Sequence, residues 1–405
     1  MNYAETLAYL YARLPMYQRI GAAAYRADLS TTQALMDQLG RPEQGLRCVH
    51  VAGTNGKGST SHLIASALQE AGYKVGLHTS PHLKDFRERF RINGRMVDEA
   101  TVATFVERYK AEFEPLSPSF FEWGVAFVLW WFREAQVDIA VIEVGMGGRL
   151  DSTNVVLPDV SVITNIGLDH TAFLGNTVEA IAAEKAGIIK PGVPVVIGDA
   201  TDVVANVFRE RAAAMNAPIT FVDQHQPLPF PCGLPGRHQE KNARTALAAL
   251  RTLLGTGWNV DDAAIERGFR NVVPNTGLRG RWEVIGHAPL TIADVAHNVD
   301  GLRTVRAMLD RTPHERLHVV LGMVNDKDIG AAMAELPRDA TYYFCKADIP
   351  RGLDAELLRD QAAHAGLHGE IHRSVAAALD AARTAAGPND LVLVTGSVFV
   401  VAEVL

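Results

Sequence analysis

The stretch GTNGKGST, Gly53 to Thr60, constrains the fold more than any other part of the chain. It follows the apolar run Cys48-Val49-His50-Val51-Ala52 and opens a segment, Ser59 to Ala71, with helix-like spacing. A β-branched strand that runs into a glycine-rich turn, then lysine and serine, then a helix, is the geometry of a phosphate cradle. Gly53, Gly56 and Gly58 let the backbone approach phosphate oxygens, which accept hydrogen bonds from N–H groups at the helix N-terminus. Lys57 supplies a mobile cation, and Ser59 or Thr60 a hydroxyl for magnesium. The spacing departs from the general G-x-x-x-x-G-K-[ST] form: the glycines stand closer, and Gly58 separates Lys57 from Ser59. A glycine-rich turn alone also serves purely structural ends; with strand, lysine and serine in register, ATP is the expected ligand.

Strand-like and helical runs alternate on both sides of this turn. Lys74–His78 ends at Thr79-Ser80-Pro81-His82. A long apolar helix around Phe121–Glu134 leads to strands Ile139–Val144 and Val160–Asn165, then helix Thr177–Ala186 and strand Val193–Gly198. This alternation predicts an α/β fold with a parallel sheet and right-handed crossovers. Chemistry in such sheets gathers at the carboxyl ends of the strands, where Gly53, Thr79, Glu143 and Asn165 all fall. A proline-dense stretch from Gln224 to Pro235 reads as an irregular connection before helix Lys241–Leu254. The segment Pro274 to Gly280 reads as a loop before a second α/β unit with apolar runs at Leu290–Val295, Leu317–Leu321, Thr341–Phe344 and Leu391–Val394. The expected division is 1–280, an N-terminal P-loop parallel-sheet ATPase domain, and 281–405, a smaller C-terminal Rossmann-like α/β domain.

Several strand-end groups are candidates for chemistry, each with a structural alternative. Glu143, before the turn Val144 to Arg149, is placed to hold magnesium through carboxylate oxygen, or is a solvated strand end. His170, in Leu168-Asp169-His170-Thr171, is a metal ligand through a neutral ring nitrogen or a structural histidine. Lys185, in EKAGIIK, has apolar neighbours at a helix end; the alternative is a cation favoured by the helix C-terminus. Asp294 and His297, in DVAHN, Lys327, in Asn325 to Asp328, and Ser397, in TGS, are polar groups at strand ends of the second unit, and Asn298 serves as an N-cap in any case. Two α/β units with polar strand ends imply a cleft that closure dries.

The balance of charges excludes some classes of partner. The 405 residues carry a net charge of −7, unlike the basic face of a nucleic-acid binder, while small anions need only a local cluster of Arg and Lys. Cys48, Cys232 and Cys345 are far apart, with no C-x-x-C pair, and read as free thiols in a reducing compartment. MNYAETLAYL lacks a basic start followed by an apolar run, so no signal peptide is expected, and the most apolar segment, Gly124 to Phe132, is well short of the ~20 residues of a membrane span. A cytoplasmic enzyme acting on small molecules, with no nucleic-acid or membrane partner, is expected.

In sum of its motifs the chain resembles the folylpolyglutamate synthase/dihydrofolate synthase family of ATP-dependent, murein-ligase-like amide synthetases. The resemblance runs through Leu14-Pro15-Met16-Tyr17, GTNGKGST, TSPHL at Thr79, DFRERFRING at Asp85, SFFEWG at Ser119, IEVGMGGRLDSTN at Ile142, LDHT at Leu168, EKAGIIK at Glu184, DVAHN at Asp294 and VTGSVFVVAEVL at Val394. The short phosphate loop with glycine after lysine is this family's own form. Gly280-Arg281-Trp282 departs from its usual Gly-Arg-Phe.

The resemblance implies roles. Thr54, Asn55, Gly56, Lys57 and Gly58 hold ATP phosphates, with Ser59 beside the metal. Ser80, Glu143 and His170 bind magnesium, two ions in all. Lys185 is carbamylated, Asn242 reads adenine, and Arg281 and Asp294 contact ATP. Phe121, Glu122, Leu150, Asp151 and Ser152 take the pterin-bearing substrate, while His297 and Ser397 serve the incoming glutamate and the reacting carboxylate. A monomer is implied. The implied reaction joins L-glutamate to dihydropteroate and to reduced folates through an acyl phosphate, Lys57, Lys185 and His297 being the catalytic candidates; the alternative is folylpolyglutamate synthesis alone. A related ligase of cell-wall synthesis and a nucleotide-binding module without catalysis are the other readings. A thermal-shift screen of pterins against UDP-linked muropeptides separates the first of these, and acid- and glutamate-dependent release of ADP and phosphate eliminates the second.

Overall fold

A computed structural model describes residues 1–16, 28–325 and 329–405; Tyr17 and Lys327 lie outside the described residues. The chain divides between Leu278 and Arg279 into two compact units. Unit 1 is built on an eight-stranded sheet. Its strands are β1 (Cys48–Ala52), β2 (Val75–His78), β3 (Phe90–Ile92), β4 (Arg95–Met96), β5 (Ile139–Glu143), β6 (Val160–Asn165), β7 (Val195–Asp199) and β8 (Ile219–Phe221), in the order β4-β3-β2-β5-β1-β6-β7-β8. From β2 through β8 all neighbours are parallel.

The edge corrects the expectation of an all-parallel sheet. β3 and β4 form an antiparallel hairpin on β2. Its turn is Asn93-Gly94, both at positive φ (45° and 73°), the pairing that suits a tight hairpin whose twist matches its strands.

Central strands β1 and β5 are buried throughout because both faces are covered. In β5, Ile139 and Val141 pack on one face and Ala140 and Ile142 on the other. The first face is covered by helices Lys57–Glu70, Arg237–Leu254 and Asp262–Arg270. These helices approach closely: a Cβ on Gly268 would overlap the Ala67 backbone, and Ser66 Oγ donates to Gly268 O (2.7 Å). The opposite face carries aromatic side chains of helices Glu99–Phe113 and Phe120–Glu134, including Phe105, Phe113, Trp123, Phe127 and Phe132. Among the described residues no helix is long and apolar enough to cross a membrane.

Unit 2 has a six-stranded sheet of β9 (Glu283–His287), β10 (Leu290–Ala293), β11 (Leu317–Leu321), β12 (Thr341–Phe344), β13 (Gly369–Ile371) and β14 (Leu391–Thr395), ordered β13-β12-β11-β14-β10-β9. All its pairs are parallel except β9–β10, again an antiparallel edge that the alternation of strands and helices does not predict. The proline-dense stretch 224–235 contains neither helix nor strand.

Candidate active site

The glycine-rich turn leaves β1 and enters helix Lys57–Glu70 through Gly56, whose φ of 82° only glycine adopts without strain. The helix therefore begins at Lys57, before the Ser59 expected from spacing, and no side chain caps it. Its first N–H groups have no capping side chain and aim at whatever anion the turn encloses.

Neighbouring strand β6 holds the turn in shape. Thr54 N–H donates to Asn165 O (3.0 Å), Asn55 N–H to Asn165 Oδ1 (2.8 Å), and Thr164 Oγ1 to Asn55 O (2.6 Å). Thr54 Oγ1 accepts from Gly167 N–H (3.0 Å) and donates to Gly167 O (3.2 Å), so its hydroxyl anchors the turn. Lys57 Nζ folds back onto Gly53 O and Thr54 O, both at 3.2 Å. Asn242 is 8 % exposed and stands directly over Gly56, where an added Cβ would lie 2.9 Å from Asn242 Cγ. Gln239, one helical turn earlier, accepts from Asn242 Nδ2 (2.9 Å) and orients the amide. Asn165 was expected at a strand end, though not as the brace of the turn, and Gln239 was not singled out by sequence reasoning; for Gln239 the i, i+3 spacing on a helix is the signal.

On the other side of β1, β5 carries Glu143 in register with Val51. Glu143 is 4 % exposed and accepts the N–H of Ser80 (2.9 Å), which joins the TSPHL loop to the β5 end. Ser59 is buried, yet its hydroxyl makes no hydrogen bond among the described residues. One carboxylate and one serine oxygen fit magnesium, which completes its shell with water and phosphate oxygens. Among the described residues no three His, Cys, Asp or Glu side chains form a metal cluster. His170 has a left-handed backbone (φ 51°) and a side chain 36 % exposed, with Asp169 accepting its N–H (2.8 Å).

Lys185 lies in the last turn of helix Val178–Ala186 and is 4 % exposed. Burial, and then the Lys57 charge, lower its pKa to about 7, with Asp169 and Asp151 opposing. This helix end locks to the glycine turn after β5: Arg149 N–H donates to Glu184 O (2.8 Å), and a Cβ on Gly148 would sit 3.0 Å from Lys185 O.

Of the expected pterin residues, Phe121 and Asp151 flank Gly145, where a Cβ would lie 2.5 Å from the Phe121 ring and 3.1 Å from Asp151 Oδ2. Phe121 is half-buried here, and Leu150 is also half-buried. Two of the others work for the chain itself. Glu122 closes a capping box, its carboxylate accepting Ser119 N–H (2.7 Å) at the start of helix Phe120–Glu134. Asp151 caps the short turn Ser152–Val155, accepting from Thr153 N–H (3.0 Å) and Met146 N–H (2.9 Å), and burial raises its pKa. Ser152 is buried in that turn.

Unit 2 gathers its own set where β10 and its neighbour β14 end. Asp294 accepts Trp282 N–H (2.8 Å) and Ala296 N–H (2.9 Å); burial raises its pKa, against the nearby Arg281 charge. Thr395 Oγ1 donates to Asp294 O (2.9 Å), tying the two strand ends. Arg281 is half-buried, and His297 is exposed with Nδ1 on Val295 O (3.0 Å). Ser397 is buried and caps helix Val398–Ala402 by accepting Val400 N–H (3.1 Å).

Residues 51–228 match the Mur ligase middle domain, and residues 280–398 the Mur ligase glutamate ligase domain. A Haloferax volcanii protein named probable bifunctional folylpolyglutamate synthase/dihydropteroate synthase is 38% identical across 100% of the chain, which spans 50% of that longer relative. The Escherichia coli dihydrofolate synthase/folylpolyglutamate synthase is 39% identical across 88% of the chain and 85% of its own length. The structure of E. coli FolC in complex with DHPP and ADP superposes with a TM-score of 0.88 at 34% identity, covering 100% of this chain and 97% of that one. The chain belongs to the dihydrofolate synthase/folylpolyglutamate synthase family of Mur ligases.

Proposed function

We propose that the chain joins L-glutamate to dihydropteroate, forming dihydrofolate, and to the γ-carboxylate of reduced folates, forming polyglutamates, with ATP consumed through an acyl phosphate. The observation that carries this reading is the row of strand ends in unit 1. A phosphate cradle on β1 stands beside the buried Glu143 at the end of β5, which is bonded to half-buried Ser80 after β2, with Lys185 packed into the same loops. Residues 1–280 take ATP and the pterin-bearing acid, and 281–405 handle glutamate. The match of 280–398 to a glutamate ligase domain supports that division.

A carboxylate is a poor electrophile, and phosphorylation converts it into one that an amine attacks. Backbone N–H groups from Gly56 to Ser59 and the Lys57 ammonium orient the phosphates and offset charge on the transferring group. Asn242 presents its amide to the adenine. Glu143, Ser59, Ser80 and His170 are the groups that would hold magnesium, which supplies electrostatic stabilisation of the phosphoryl group when bound. In unit 2, Arg281 and Asp294 serve ATP, while His297 and Ser397 serve the glutamate and the reacting carboxylate.

Lys185 is carbamylated in the active enzyme. A pKa of about 7 leaves the neutral amine available to react with carbon dioxide, where an ordinary lysine is almost wholly charged. The carbamate replaces donors with oxygen atoms that bind or orient a second metal ion. The enzyme works as a monomer in the cytoplasm, on small molecules alone; sequence and family resemblance support this.

ATP turnover measured separately with dihydropteroate and with tetrahydrofolate, each with glutamate, tests the reading. Both acids should release ADP and phosphate. Turnover with tetrahydrofolate alone would limit the chain to folylpolyglutamate synthesis, and turnover with neither would overturn the assignment.

A further inference from the structure

The turn Phe86–Arg89 carries two arginines with opposite surroundings. Arg87 forks onto Asp85 (Nη2–Oδ2 2.7 Å) and reaches Glu99 (3.4 Å). Glu88, between them, folds back to accept the N–H groups of Leu83, Lys84 and Asp85 (2.7, 3.0 and 3.0 Å). Arg89 has no such partner. It is 5 % exposed, its Nε donates to His82 Nδ1 (2.7 Å), and its guanidinium lies 5.6 Å from the centre of the Phe120 ring. Tyr11, Glu143 and Glu88 act on its charge only through space. His82 accepts from a cation and so is neutral; it aims the guanidinium without balancing it.

The remaining nitrogens, Nη1 and Nη2, make no hydrogen bond to any described residue. Sealed side-chain atoms without partners include His78 Nε2 and His50 Nδ1, but neither of these two nitrogens, so both keep access to solvent. A buried guanidinium with no counter-charge is costly, and a chain retains one where an anion arrives to complete it.

The position of Arg89 narrows the choice of anion. Its carbonyl accepts from Thr79 N–H (3.2 Å) and meets His78 Nδ1 (2.9 Å), so it is fastened to the loop whose Ser80 binds Glu143. In the strand order β2-β5-β1, Glu143 stands between this loop and the phosphate cradle. Acid, metal ligand and phosphoryl donor must follow one another in that same order for a phosphoryl group to reach a carboxylate. The half-buried Phe121 ring lies 6.3 Å from the ring of His78, the residue whose Nδ1 meets the Arg89 carbonyl, and an aromatic face there favours an aryl acid over a second phosphate.

We propose that Arg89 binds the carboxylate of the acid substrate, its planar fork receiving both oxygens before phosphorylation. This rests on the proposed acid–amino acid ligase activity and names the residue that reads the acid. The test is binding of 7,8-dihydropteroate and of its carboxamide, with ADP and EDTA present throughout so that no metal contributes. Wild-type protein should prefer the carboxylate by about 10–100-fold. Arg89→Met should bind the two alike, with ADP affinity unchanged, and Arg89→Lys should keep part of the preference. Equal binding of acid and amide by the wild type overturns the proposal without any variant, as does an undiminished preference in folded Arg89→Met. Wild-type protein that binds ADP but neither pterin defeats the ligase reading itself, and this proposal with it.

Discussion

Gly56→Ala probes the contact between the phosphate turn and Asn242. A methyl group at φ 82° puts an L-residue in the left-handed region, at about 1–2 kcal/mol. The same methyl would lie 2.9 Å from Asn242 Cγ and closer still to its Oδ1, so the amide must turn away. Turning breaks its 2.9 Å bond to Gln239, and leaving a buried amide group unpaired costs about 1–3 kcal/mol. The expected loss of stability is therefore roughly 2–5 kcal/mol by urea denaturation, with ADP binding by calorimetry weakened by roughly 3–10-fold because the amide proposed to meet adenine is displaced. A double-mutant cycle isolates the cause. Asn242→Ala removes the side-chain atoms that the methyl meets, so the double variant should be less destabilised than the sum of the two singles. Penalties that add to within about 0.5 kcal/mol, or a Gly56→Ala protein of wild-type stability, would refute the contact.

Lys57→Ala should reduce ligase turnover by ~10²–10³ at saturating ATP while the far-UV circular dichroism stays native; retention of more than half the activity would sink the assignment. Lys185→Ala should lose most activity and regain part of it with a small added carboxylic acid, and an active variant that needs no acid would rule the carbamate out. In protein freed of bicarbonate, the Lys185 pKa falls from 10.5 in the unfolded chain to about 7 in the folded one. The unfolded state then binds more protons between those values. Stability should therefore rise with pH across that window and lie flat below it, with about 5 kcal/mol at stake. Lys185→Met should abolish the rise, as followed by urea denaturation at stepped pH. Glu122→Ala should cost about 1 kcal/mol of stability through the lost capping box, measured in the same way.

The cradle was legible because strand, glycines, lysine and helix occupy one short run of sequence, where local geometry decides the outcome. Lys185 was legible in part: Ile181, Ala186 and Ile188 announce an apolar setting, and all three are buried, but the Lys57 charge that adds to the depression comes from a distant loop. The β3–β4 hairpin was missed although Asn93-Gly94 is a strong turn signal, because strands this short carry little alternation of their own. Glu122, Asp151, Thr54 and Asp294 read as ligand-facing groups, and each also accepts backbone N–H groups of its own chain. For Glu122 the S-x-x-E spacing from Ser119 was the available clue. For Arg89 there was none, since the lack of an acidic partner among the described residues becomes visible only when its neighbours are in place.

Placement of the phosphate cradle on β1, inside the sheet, has a consequence for how this scaffold can change. Neighbouring strands are spaced about 4.8 Å apart by their own backbone ladder, whatever their side chains. The distances from Gly53 to Glu143 on one flank and to Asn165 on the other are thus inherited from the ladder and survive drift in the packed interior. The two flanks also divide the labour. On the β6 side the chain braces the nucleotide turn, and on the β5 and β2 side it carries the loops assigned to the acid. Replacement of the second set leaves the first untouched, so one nucleotide engine can be refitted to new carboxylic acids by exchanging a single edge of its rim.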